Sequence, residues 1–152
     1  MTQLTAHFSL EEFIISNTAD RLKIDNTIPD ELLANVARTA ELMEKVRDLL
    51  GAKPILVTSG YRSPALNAAV GGVPGKSSHM AALACDFICP SFGTPLDVCN
   101  RLKTAIGALK FDQLIYEYSW IHIGLSMQGV SPRLQLLTLM PNGTYQFGIV
   151  PR

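Results

Sequence analysis

Between Pro29 and Gly51 the apolar positions Leu32, Leu33, Val36, Ala40, Met43, Val46 and Leu50 recur at helical spacing, predicting one long helix with a single buried face. Gly51 is placed to end it. Upstream, Ser9-Leu10-Glu11-Glu12 fits a capping box and predicts a short helix carrying Phe13, Ile14 and Ile15. Ile55-Leu56-Val57-Thr58-Ser59 is apolar enough to be a buried strand, and Gly60 to Ser78 reads as a glycine-containing loop with a short helix from Pro64 to Val70. Ala84 to Cys89 predicts a strand in which Cys85, Phe87 and Cys89 share the face opposite Asp86. Thr94-Pro95 resembles a cap followed by a first-turn proline, opening a helix to about Gly107. Strands are then expected at Gln113 to Tyr118 and Trp120 to Leu125. A hairpin follows, with arms Leu134 to Met140 and Thr144 to Val150 joined through Asn142-Gly143. Helices gather early and strands late, so the predicted class is α+β.

The chain has 152 residues, 47% of them hydrophobic, which suits one domain spanning 1–152 with a real core. Lys plus Arg and Asp plus Glu both number 13, giving zero formal net charge. No global field attracts polyanions, which argues against nucleic acid as a partner. No stretch approaches the roughly 18 apolar residues of a membrane span. The opening Met1-Thr2-Gln3-Leu4-Thr5-Ala6-His7 lacks the basic and apolar regions of a secretory signal, so synthesis in the cytoplasm is expected. Cys85, Cys89 and Cys99 are an odd set and read as buried reduced thiols. The competing reading, a redox or zinc domain built on Cys85 and Cys89, rests on a weak Cys-x-x-x-Cys spacing.

Four residues change the picture: His79 and Asp86, then Glu117 and His122. Two neutral imidazoles and a carboxylate are a three-ligand set that leaves Zn²⁺ an open fourth position, and a nearby glutamate can take a proton from water there. Alternation along Trp120 to Leu125 turns Trp120, His122 and Gly124 one way and Ile121 and Ile123 the other. Asp86 sits in an apolar strand, where an unpaired buried carboxylate is costly unless a metal or partner meets it. Taken singly, each residue has a plainer role: a strand-end polar contact for Asp86, a hydrogen-bonded core imidazole for His122, a solvated strand residue for Glu117. As a set they favour a metal site. His7 lies far from these motifs and reads as structural or exposed. Tyr61, Tyr116, Tyr118 and Trp120 are candidates to line a substrate groove, although strand aromatics more often pack.

The chain also resembles the zinc D-Ala-D-Ala peptidases, a family of D,D-carboxypeptidases, dipeptidases and phage endolysins with a Hedgehog-like fold. The resemblance rests on Ser59-Gly60-Tyr61-Arg62-Ser63, Leu66-Asn67 with Val70-Gly71-Gly72, Ser77-x-His79 with Ala84-x-Asp86, and Trp120-x-His122 preceded by Glu117. The opening His7-Phe8-Ser9-Leu10-x-Glu12-Phe13 with Ser16-x-Thr18-Ala19 is similar to the phage and prophage branch. This likeness implies a small antiparallel sheet carrying the zinc site, packed with helices. It implies zinc ligands His79, Asp86 and His122, Glu117 as catalytic base, Arg62 as a substrate-contacting and charge-stabilising residue, and Ser77 as a substrate contact. Trp120 is added here as a substrate-binding candidate. The implied substrate is bacterial peptidoglycan cut at an amide involving a D-amino acid. Action at the cell wall would follow release through a holin or delivery on a virion. One departure stands out: Ala82 occupies a position where the family pattern usually has glycine, which bears on the cleft's width. A non-catalytic, zinc-stabilised binding or virion protein would show the same ligand set, but has no need of Glu117 and Arg62 together.

Overall fold

The computed structural model describes residues 1–75 and 77–152; Lys76, inside the expected loop, lies outside the described residues. The fold is α+β, with helices packed on a six-stranded sheet.

The capping signals act where the sequence places them. Ser9 and Glu12 form the reciprocal box that opens α1 (Leu10–Ile14), with the Ser9 amide donating to Glu12 Oε2 at 2.7 Å. Phe13 goes into the core, while Ile15 is left exposed beyond the last turn. A second short helix, α2 (Asn17–Leu22), was not anticipated; the Ser16 hydroxyl caps it by accepting from the Ala19 amide. The long helix α3 (Leu33–Leu49) follows a 3₁₀ turn at Asp30–Leu32 and stops before Gly51, whose φ of +73° suits a left-handed terminus. Val36, Thr39, Ala40, Leu42, Met43 and Val46 are its buried residues, whereas Leu33 is exposed. After β1 (Leu56–Ser59), Ser63 caps α4 (Pro64–Ala69).

Thr94 and Asp97 close a second capping box at the start of α5 (Pro95–Lys103). This helix does not continue to Gly107. Thr104 turns its hydroxyl onto the Arg101 carbonyl at 2.7 Å, Ala105 leaves helical geometry, and α6 (Ile106–Leu109) begins separately.

The strand order is β1-β2-β4-β3-β5-β6, where β2 is Ala84–Ile88, β3 Gln113–Tyr116, β4 Ile121–Gly124, β5 Gln135–Leu139 and β6 Tyr145–Phe147. Four of the pairings are antiparallel; β3 and β5 run parallel, because the chain leaving β4 crosses to the far side of β3. A bidentate Arg133–Asp112 pair and the Gln135 amide to Asp112 carbonyl bond pin that crossover. The hairpin between β5 and β6 has Pro141-Asn142-Gly143 as its loop, Gly143 supplying φ +86°.

Register divides the sheet into two faces. Cys85, Phe87, Ile121, Ile123, Leu114 and Tyr116 point into the core with Met43, Val46, Val98, Cys99 and Leu102. Each large side chain buried there contributes about 1.5–3 kcal/mol. On the other face one row runs across five strands: Asp86, His122, Ile115, Leu137 and Phe147. Among the described residues no helix is long and apolar enough to cross a membrane.

Candidate metal centre

Asp86 and His122 are direct partners in the antiparallel β2–β4 pair, so their side chains leave the same face side by side. His79 arrives from the turn before β2, closed by the Ala82 amide to His79 carbonyl and Leu83 amide to Ser78 carbonyl bonds. Ala82 takes φ +58° in that turn, the conformation glycine would adopt at less cost. Its methyl is buried in the core cluster and does not line the cleft, so the expected effect on cleft width has no counterpart in the geometry.

His79 Nε2 lies 3.3 Å and His122 Nδ1 2.9 Å from the same oxygen, Asp86 Oδ1. The His79 Nδ1–H donates to the Gly60 carbonyl at 2.7 Å, which leaves Nε2 with its lone pair facing the carboxylate. Two acceptors at that separation repel unless a cation or proton lies between them. All three ligand atoms lie within 4.8 Å of one another. Tetrahedral zinc with bonds near 2.0–2.1 Å would hold its ligands about 3.3 Å apart, so the donor set fits that ion. Burial opposes charge on Asp86, but the hydrogen bond from His122, joined by His79 when its Nε2 carries a proton, outweighs it and holds the carboxyl well below its usual range. All three residues are buried, and theirs is the one metal-capable group among the described residues.

Arg62 crosses behind the carboxylate, its Nη2 3.5 Å from Asp86 Oδ2 and its Nε donating to Ser59 Oγ at 3.2 Å. Asn67 Oδ1 accepts a long 3.5 Å contact from Nη1. Ser77 lines the cleft and its hydroxyl accepts from the His79 amide at 3.3 Å. Glu117 lies just past the end of β3, half-buried on the same wall as Trp120. Burial, then the charge of Asp86, raises its carboxyl above the ordinary glutamate value, while His122, Arg62 and Tyr145 pull it back. These residues bound one cleft of about 470 Å³. A larger hollow of about 650 Å³ lies along β1 and shares Arg62, but contains none of the three metal-capable residues.

Of the candidate groove aromatics only Trp120 lines this cleft. Tyr61 and Tyr116 are 5% exposed core residues, and Tyr118 stacks with the Arg152 guanidinium 4.5 Å from its ring centre. The three cysteines are free and buried, and burial pushes the Cys99 thiol up to about 12. His7 is exposed and pairs with Glu44 at 2.9 Å, far from the centre. Sequence reasoning missed two contributors. Gly60 orients His79 through a backbone carbonyl, which leaves no signature in residue type. Tyr145 enters the cleft from β6, and only the register of the hairpin could have revealed it.

The family profile of Peptidase M15 matches residues 6–124. The chain therefore belongs to the Peptidase M15 family, the zinc D-Ala-D-Ala peptidases. No curated protein matches it. The matched segment ends with β4, so it includes the metal-capable residues and Glu117 but not β5 or β6.

Proposed function

We propose that this protein is a zinc-dependent peptidoglycan peptidase that hydrolyses a stem-peptide or cross-link amide involving a D-amino acid, and that it serves a phage or prophage as an endolysin. The observation that carries the reading is the convergence of His79 Nε2 and His122 Nδ1 on Asp86 Oδ1, in a cleft that also holds Glu117 and Arg62. Family membership supports a metallopeptidase. The wall substrate and the lytic role are our reading of the resemblance set out above.

His79, Asp86 and His122 would hold the ion. When bound, zinc supplies Lewis acidity, lowering the pKa of water and polarising the scissile carbonyl. Glu117 accepts the proton of the attacking water and returns it to the leaving amine. Its raised pKa brings it closer to neutrality, where a base can also act as an acid. Arg62, anchored by Ser59, supplies positive charge for the developing oxyanion or for a substrate carboxylate. Ser77 and Trp120 line the approach and orient the peptide. Gly60 keeps the Nδ1 proton of His79 engaged so that Nε2 stays available.

The test is mass spectrometry of purified peptidoglycan after digestion by the wild-type protein, a chelated sample and Glu117→Gln. New stem-peptide termini that vanish with chelation and with the substitution are expected, and their identity names the bond. An unchanged digest from folded, zinc-loaded protein would instead leave a non-catalytic zinc-stabilised wall-binding or virion protein. On this reading, passage through a holin or carriage on a particle would bring the protein to the envelope, and lysis of cells from within or from without separates those routes.

A further inference from the structure

The parallel β3–β5 pair gives the cleft a second row of residues. Beside the row that carries Asp86 and His122 runs another, two residues further along β3: Glu117 follows Tyr116, Leu139 follows Thr138, and Leu139 pairs directly with Tyr145. Alternation puts these three side chains on the metal face, with Leu139 between the two polar ones. Two strand spacings separate Glu117 from Tyr145, about 10 Å of backbone, which a glutamate and a tyrosine side chain reaching toward each other can bridge. The Tyr145 ring lines the cleft with Glu117 and is 52% exposed, so no packing requirement explains an aromatic there. Its hydroxyl is near enough to the Glu117 carboxylate for each group to shift the other's protonation, although no hydrogen bond of 3.5 Å or less joins them in the free protein among the described residues. Burial, then the Glu117 charge, raises the phenol above its ordinary value, so at neutral pH it is a donor. Catalytic contacts of this kind are often long in the free protein and tighten with substrate.

We propose that Tyr145, supplied by the hairpin beyond the family-matched segment, is a positioning residue that donates to Glu117 and holds its carboxylate turned into the cleft. The proposal rests on the peptidase reading. A glutamate at a strand end would otherwise have rotamer freedom, and a base that is misdirected by an ångström loses much of its advantage. The β5–β6 hairpin thereby completes a site whose metal-capable residues, candidate base and arginine come from residues 62–122.

The experiment compares wild type and Tyr145→Phe on the wall peptide released in the digest, with Tyr118→Phe as a control. Tyr118 lies outside the cleft, so its phenol should be dispensable. Tyr145→Phe keeps the ring and removes only the donor. Its kcat should fall on the order of 10-fold with KM within about twofold and zinc stoichiometry unchanged. A second readout needs no turnover: in metal-free protein, the ¹³Cζ resonance of Tyr145 should move on Glu117→Gln while those of Tyr61 and Tyr116 do not. Wild-type kcat in Tyr145→Phe, a raised KM with unchanged kcat, or an unmoved Tyr145 resonance would each overturn the role. An inert wild-type protein would overturn the peptidase reading itself, whereas an active one with an indifferent Tyr145→Phe overturns the Tyr145 role alone.

Discussion

Replacing Gly60 with alanine tests whether the metal centre depends on a backbone carbonyl. A Cβ at Gly60 would run into the Phe13 carbonyl oxygen and come within 2.7 Å of Phe13 Cα, both backbone atoms that cannot swing aside. Ordinary contact begins near 3.4 Å, so the chain must separate by at least about 0.7 Å. Phe13 is 1% exposed and anchored by α1, and the Tyr61 amide is bonded to the Phe13 carbonyl at 2.6 Å. The strain therefore falls on Gly60, whose own carbonyl receives the His79 Nδ1 proton at 2.7 Å. Overpacking of this kind costs about 1–3 kcal/mol. For a chain of this size that lowers the melting temperature of the metal-free protein by about 3–10 °C. Turning the carbonyl from His79 removes the group that fixes its tautomer, and zinc affinity should fall about 10–100-fold. Melting curves of the metal-free protein and competition with a chromophoric chelator read the two effects separately. Gly107→Ala, inside α6 and with nothing within 4 Å of the added methyl, is the matched control: zinc affinity should be unchanged and the melting temperature should rise by about 1–4 °C rather than fall. Zinc affinity within twofold of wild type in Gly60→Ala, whatever its melting point, would refute the claim that Gly60 orients His79.

Three further outcomes follow from the same geometry. The Glu117 carboxyl is raised in the folded protein, so the stability it contributes is full below its unfolded value and lost as pH rises through the folded one. Metal-free Glu117→Gln should therefore melt higher than wild type at pH 7.5, on the order of 2 °C, with the difference gone at pH 4; a lower melting point at pH 7.5 would contradict the assigned burial. Asp112 is lowered, first by its hydrogen bond from Arg133, so that stability is present above its unfolded value and lost as pH falls through the folded one. Arg133 is 58% exposed, so Arg133→Ala should cost no more than about 1 kcal/mol at pH 7 and less at pH 3, as denaturant titrations at the two pH values would report. Ala82→Gly relieves a positive φ worth about 1 kcal/mol and forfeits about 0.8 kcal/mol of methyl burial, so melting should barely change. Because Ala82 does not line the cleft, KM should also be unchanged, and a KM shifted several-fold would reinstate a role for this position in substrate fit.

What was legible in the chain divides by how far each signal reaches. Ser9 with Glu12, Thr94 with Pro95, Gly51 and Asn142-Gly143 act within four residues of themselves, and each marks a helix end or turn in the structure. The break at Thr104 carries no glycine or proline, only a threonine that turns back on its own helix, so periodicity ran through it. His79, Asp86 and His122 were readable because imidazole and carboxylate groups in apolar strands demand partners, and alternation fixed which face they share. Alternation says nothing about which strand lies next to which. That β5 sits beside β3 and runs parallel to it is decided by the crossover that Asp112 and Arg133 pin, and no residue within β5 announces it. Everything that depends on that adjacency was therefore hidden, above all the row from Glu117 through Leu139 to Tyr145. The consequence is a division of labour along the chain. The family-matched segment through residue 124 contains the three metal-capable residues and the candidate base, whereas the hairpin after it adds Leu137 and Tyr145 to the lining of the same cleft. A chain with the same first 124 residues and a different final hairpin would keep its affinity for the ion and lose the restraint on Glu117. If the peptidase reading and the Tyr145 role both hold, metal binding and turnover should be separable by changes confined to β5 and β6, even though neither strand contributes a metal-capable residue.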